Sequence, residues 1–180
     1  MFNRMRKLEW IESEGGPLLL APRSRLRDWS GIDVRESESQ SDYDRACAIT
    51  DEVGIISIGD GSAVVLGDMP DRTALVTEHA ATDVFIVRWR CAASEESLLA
   101  ALFADSSIQR LPYADACWMA TGAEEYMLFD SAYNGAEIER YLSVSLQAGG
   151  YSIETCEFKP DKATNAVIHR MQLDLTGGKH

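Results

Sequence analysis

Residues 42–68 read DYDRACAITDEVGIISIGDGSAVVLGD, and the second half of this stretch decides the class of fold. Two apolar runs, 54–58 and 63–67, are joined by Asp60-Gly61. β-Propensive runs separated by a short Gly/Asp turn predict a hairpin, because such turns need backbone angles that Gly and Asp adopt readily. Side chains alternate along a strand, so Val64 and Leu66 share one face while Ala63 and Val65 share the other. The first half, Asp42 to Ile49, reads as a short helix capped by Asp42 and carrying Tyr43, Ala46, Cys47 and Ile49.

Working outward, the segment before this unit is polar and acidic. DVRESESQSDYD at 33–44 has only Val34 and Tyr43 as strongly apolar members and is expected to be an exposed loop. It suits either an acidic contact for a basic partner or a solvated connector. Further upstream, the alternation of 8–13, the turn Gly15-Gly16-Pro17 and the triple leucine Leu18 to Leu20 predict another hairpin, its second strand buried on both faces. A helical turn is expected over 23–29, with Leu26 and Trp29 on one side and Gly31 ending it.

Downstream, strands are expected at 73–77 and 83–91, the latter with Phe85, Val87 and Trp89 on one face. The one clear helix is 95–104, with the stripe Leu98, Leu99 and Leu102 and with early acids favourable to its dipole. Five more strands are expected, at 116–120, 125–129, 138–147, 151–158 and 165–175. The pattern is α+β: β-rich, mainly antiparallel sheets, with one helix and short helical turns. The chain suits one domain, 1–180, or two halves, 1–107 and 108–180, sharing a core. An offset of 62 residues aligns Ile56 with Trp118, Val64 with Tyr126, Leu66 with Leu128 and Asp68 with Asp130, which hints at two similar halves.

Composition narrows the functional classes. With 46% hydrophobic residues the chain carries enough apolar surface to fold. Its formal charge of −12 repels phosphate, which argues against a nucleic-acid ligand and favours a basic protein partner. Acidity also simply aids solubility. Cys47, Cys91, Cys117 and Cys156 show no metal-binding spacing and suit buried, reduced thiols. Neither a secretory signal nor a membrane-length apolar run is legible, so a cytoplasmic location is expected.

Catalytic chemistry is hard to assemble from these residues. His79, His169 and His180 are not near a nucleophile in any recognisable arrangement, and Gly59-Asp60-Gly61 runs into a strand rather than a phosphate-binding helix. Asp68 and Asp130 could act as paired carboxylates of an intracellular enzyme, or hydrogen-bond turn amides at strand ends. Trp10, Trp29, Trp89 and Trp118 could line the cavity of a small ligand-binding regulatory domain, or belong to the core. No cofactor and no metal are expected.

Five segments together, WIESEGGPLLLAP at 10–22, LRDWSG at 26–31, DYDRAC at 42–47, VVLGD at 64–68 and VRW at 87–89, resemble the immunity protein 21 family of bacterial polymorphic toxin systems. The resemblance is good over roughly the first 105 residues and looser beyond. It implies a non-enzymatic, cytoplasmic inhibitor that binds and neutralises a cognate toxin, with a basic, nuclease-like toxin suiting the acidic charge. Such work needs an interface rather than an active site. On this reading the candidate contacts are Glu36, Glu38, Asp42, Tyr43 and Asp44, with Trp29 as an anchor beside them. Trp10, Gly15, Gly16, Pro17 and Trp89 are expected to be fold-makers.

Overall fold

Two five-stranded antiparallel sheets, packed face to face, organise the chain in the computed structural model, which describes residues 7–32, 40–67, 71–77 and 83–174 and, for 105–107, the backbone alone. Glu36, Glu38, Asp68, His79 and His180 lie outside the described residues. The strands are β1 (Leu18–Pro22), β2 (Val53–Ile58), β3 (Gly61–Leu66), β4 (Arg72–Thr77), β5 (Val84–Cys91), β6 (Ala114–Thr121), β7 (Glu124–Asp130), β8 (Leu142–Leu146), β9 (Gly149–Phe158) and β10 (Asn165–Asp174). Sheet one runs β2-β3-β1-β7-β8 and sheet two runs β4-β5-β10-β9-β6. The fold is α+β and β-rich, as the pattern predicts.

Strand alternation sorts the core. Leu18, Leu20, Val64, Leu66, Tyr126 and Leu128 of sheet one meet Val84, Ile86, Tyr151, Ile153, Met171 and Leu173 of sheet two between the layers. The opposite side chains of the same strands point outward, where neither sheet is left bare. Leu19, Ala21, Val65, Met127 and Phe129 lie beneath Leu26, Trp29 and Ala46. Phe85, Val87 and Ile168 lie beneath Leu98 and Leu102 of the helix α2 (Glu95–Phe103) and Ile108 after it. Each fully buried aliphatic side chain stabilises by about 1.5–3 kcal/mol, so both outer coats add to what the inter-sheet core supplies.

The hairpin expected within 42–68 is β2 and β3, paired from Val53↔Leu66 to Ile58↔Gly61. Its turn is Gly59-Asp60, one residue earlier than expected, and Gly59 supplies the left-handed angle with φ 55. The expected hairpin between 8–13 and the triple leucine does not form. β1 has both edges occupied, by β3 and by β7, so Ile11 pairs instead with Thr73 on β4 through two backbone hydrogen bonds of 2.8 Å. Of the stretch 138–147 only Leu142–Leu146 is strand.

The flanks of β1 do not follow the 62-residue offset. Leu20 faces Val64 on one side and Leu128 on the other, a spacing of 64 that keeps the same faces inward because both offsets are even. Ile56 and Trp118, which the echo also aligns, fall in different sheets. Each sheet is built from strands on both sides of residue 107.

Between the layers lie two polar groups with large electrostatic consequences. Arg88 of β5 is 1% exposed and donates to the carbonyl oxygen of Gly67 at 2.8 Å, tying the VRW segment to the VVLGD segment. Glu52 and Asp71 supply opposing charge, and burial pulls the Arg88 pKa downward against them. His169 of β10 is fully buried with Nδ1 2.8 Å from Thr155 Oγ1 and with no hydrogen-bond partner at Nε2. Burial, reinforced by the charges of Arg88 and Arg90, pushes its pKa down to about 3 and keeps it neutral.

Candidate partner-binding surface

Four chain segments converge at one end of sheet one, and three of them carry the sequence signature. The first is the turn before β1. Its Glu14 amide donates to Asp130 Oδ2 at 2.7 Å, and the Pro17 carbonyl accepts from both the amide and the hydroxyl of Ser131. The second follows a 3-10 helix, Arg23–Asp28, in which Leu26 turns inward. Trp29 comes next, 1% exposed, with its indole Nε1 donating to Ser131 O at 2.9 Å. The third is the helix α1 (Asp42–Cys47), and the fourth is the turn from Asp130 to Gly135.

Small backbones make the convergence possible. Gly31 has φ 66, and a side chain there would lie 2.6 Å from Ala132 O. A Cβ on Gly16 would lie 2.5 Å from the Tyr43 hydroxyl, so the tyrosine ring rests directly on that glycine. The Tyr43 amide donates to Gly31 O, the Ile32 amide to Ala132 O and the Gly135 amide to Trp29 O. Every segment is therefore bonded to at least one other.

The six sequence-predicted contact residues fare differently. Trp29, expected as an anchor, is a buried peg inside this assembly, 1% exposed. Asp42 is partly buried and spends its carboxylate on the Ser30 amide at 2.8 Å, the Ser30 hydroxyl and Arg45. It is not the helix cap. Ser41 is, in a reciprocal capping box with Asp44, whose exposed carboxylate accepts from the Ser41 amide. Those bonds pull the Asp44 pKa down. Tyr43 is half-buried on Gly16, and Glu36 and Glu38 are outside the described residues.

Two exposed residues that sequence reading passed over complete the surface. Ile32 is 51% and Tyr133 44% exposed, and the Ile32 amide donates to the carbonyl of Ala132, the residue before Tyr133, which brings their two backbones together. The Tyr133 hydroxyl hydrogen-bonds the Glu14 carboxylate, which raises the phenol's pKa. The missed signal was an aromatic among small and polar turn residues, Ser131-Ala132-Tyr133-Asn134-Gly135, where nothing can bury it.

The groups considered for other chemistry are dispersed. Asp130 uses both oxygens on backbone amides, Glu14 and Ala132, as an acid beyond a strand end commonly does. Trp10 and Trp89 pack together with Arg72 over both rings, Trp29 is on the other sheet's outer face, and Trp118 is exposed on β6, so the four line no common cavity. All four cysteines are free, and burial pushes the Cys117 thiol up to about 11 and raises that of Cys156, which disfavours thiolate. Among the described residues no group of three or more His, Cys, Asp or Glu is placed to hold a metal ion, and no helix is long and apolar enough to cross a membrane.

Comparison with known proteins places this arrangement. No curated protein and no solved structure matches the chain. The sequence model of the family described as Immunity protein 21 matches residues 9–164, which takes in all four converging segments and both sheets up to the start of β10. A match over that share of the sequence means that the chain belongs to the immunity protein 21 family.

Proposed function

We propose that the protein is a stoichiometric inhibitor that binds a cognate toxin in the cytoplasm and neutralises it by covering its working surface. The observation that carries this reading is family membership over residues 9–164, which implies an immunity role and a toxin partner. The charge of −12 favours a basic toxin, since opposite potentials accelerate encounter and discriminate between partners. The surface of Glu36, Glu38, Asp42, Tyr43 and Asp44 is the proposed point of contact. Function of this kind needs pre-shaped loops on a rigid support, and the bonded segments at the end of sheet one have that character.

Co-expression with the toxin encoded beside its gene should rescue growth and give a complex of one-to-one stoichiometry in size-exclusion chromatography with light scattering. Neither rescue nor complex would defeat the proposal. Charge has its own test, arranged so that structural acids are left alone. Asp42 and Asp44 hold α1 together, so Glu36→Gln with Glu38→Gln isolates the electrostatic contribution. The double variant should associate several-fold more slowly than wild type at low ionic strength and nearly equally fast at high salt, because the Debye length contracts to about 3 Å at 1 M.

A further inference from the structure

We infer that Ile32 and Tyr133 form the apolar centre of the toxin-binding surface, docking against a basic toxin face with an apolar contact at its middle. The inference rests on the immunity reading above and deepens it by naming where the binding energy resides. Five large hydrophobic side chains are substantially exposed among the described residues: Ile32, Phe103, Trp118, Tyr133 and Tyr141. The backbone hydrogen bond from Ile32 to Ala132 brings the Ile32 and Tyr133 backbones together, where the turn after β7 meets the segment that follows Trp29.

Three physical features favour this pair. It is pre-organised: the Tyr133 hydroxyl is held by Glu14, the Tyr133 amide donates to Asp130 O, and Trp29 beneath is locked to Ser131. A side chain already fixed in its bound position loses little entropy on binding, and tyrosine is enriched among dominant interface residues for that reason. Its surroundings are acidic: Glu14, Asp130 and Glu139 all act on the Tyr133 phenol, and Asp42 bonds the Ser30 amide two residues before Ile32. An apolar centre on a chain of charge −12 matches a partner of the opposite sign. The same charge disfavours a second copy of this chain, which would be repelled.

Affinity and dissociation rate for the cognate toxin test the inference, measured by biolayer interferometry on the full chain. Tyr133→Ala and Ile32→Ser should each weaken binding by about tenfold or more, chiefly through faster dissociation, and at high salt as well as low. Tyr133→Phe keeps the ring and should retain most of the affinity. Trp118→Ser, which removes an equally exposed aromatic from sheet two, should change affinity less than about twofold. Unaltered circular dichroism and melting temperature for all four would show that the losses are local.

Affinities within twofold of wild type for both Tyr133→Ala and Ile32→Ser would overturn the inference while leaving immunity intact. So would a loss confined to Trp118→Ser, or self-association of the free protein abolished by Tyr133→Ala. Absence of binding and protection by the wild-type chain would instead defeat the immunity reading, and this inference with it.

Discussion

The outer faces of the two sheets solve the same problem with different materials. Sheet two is coated by α2, a regular nine-residue helix that lays Leu98 and Leu102 onto Phe85, Val87 and Ile168. Sheet one is coated by a 3-10 turn, the six-residue α1 and two loops, held by individual bonds from side chains to backbone and by glycines that admit close approach. A regular helix satisfies its own backbone and asks of the sheet only an apolar stripe. An irregular coat must place each polar group by hand, and in return it can present turns to a partner. The contrast teaches that the face proposed for toxin contact is the one whose local structure is least self-sufficient.

The largest expected effect separates the coats by function. Trp29→Ala should lower unfolding free energy by about 3–5 kcal/mol and also weaken toxin binding of the folded fraction, because the segments beneath Ile32 and Tyr133 lose their peg. Leu102→Ala should destabilise by about 2–5 kcal/mol yet leave affinity per folded molecule unchanged. Denaturant titrations paired with active-fraction binding assays would measure both, and equal affinity losses would erase the distinction.

Acid tests the layer that the coats share. His169 is neutral when folded, with its pKa held near 3, whereas the unfolded chain takes up that proton below about pH 6.5. Its contribution is therefore complete above about 6.5 and is lost as pH falls toward 3. Wild-type stability should begin to decline at pH 6, above the range in which carboxylates titrate, and His169→Gln should flatten the curve between pH 6.5 and 5. Hydrogen exchange at pH 5 should show both sheets loosening together.

Smaller effects compare the two caps and the close glycine contact. Gly16→Ala should cost about 1–3 kcal/mol by driving the Tyr43 ring off its seat, read as a lower melting temperature. Ser41→Ala and Ser94→Ala each remove a capping-box hydroxyl and should cost about 1 kcal/mol. Only the first should also slow or weaken toxin binding. Matching binding defects in both would mean that the surface is not confined to the sheet-one end.

What the sequence revealed follows the same division. Alternation placed the β2–β3 hairpin, sorted Val64 from Val65 and marked Phe85, Val87 and Trp89 as one face, and the leucine stripe located α2 within a residue. These features depend on neighbours in the chain. The pairing of Ile11 with Thr73 was not legible, because it depends on β1 already being flanked by β3 and β7. Trp29 was noticed for its rarity and expected as an anchor beside the contacts, while its role as a buried peg was not legible because its acceptor on Ser131 is 102 residues away. Ile32 and Tyr133 attracted no notice because neither belongs to a periodic run. Their adjacency arises only when two turns far apart in sequence are bonded.

The position of β10 carries a consequence for how the protein is made. The last described strand sits in the interior of sheet two, between β5 and β9, and β1 of sheet one waits for β7 more than a hundred residues downstream. Sheet one therefore cannot close until residues up to 146 have been made, and sheet two until those beyond 165 have. Until then Val84 to Val87 is a sheet edge exposed to other nascent chains. Such non-local pairing folds slowly, on a scale of milliseconds to seconds after release, so newly made chains become competent only after a delay. If the cognate toxin shares its compartment, a standing reserve of finished molecules protects the cell better than fresh synthesis on demand.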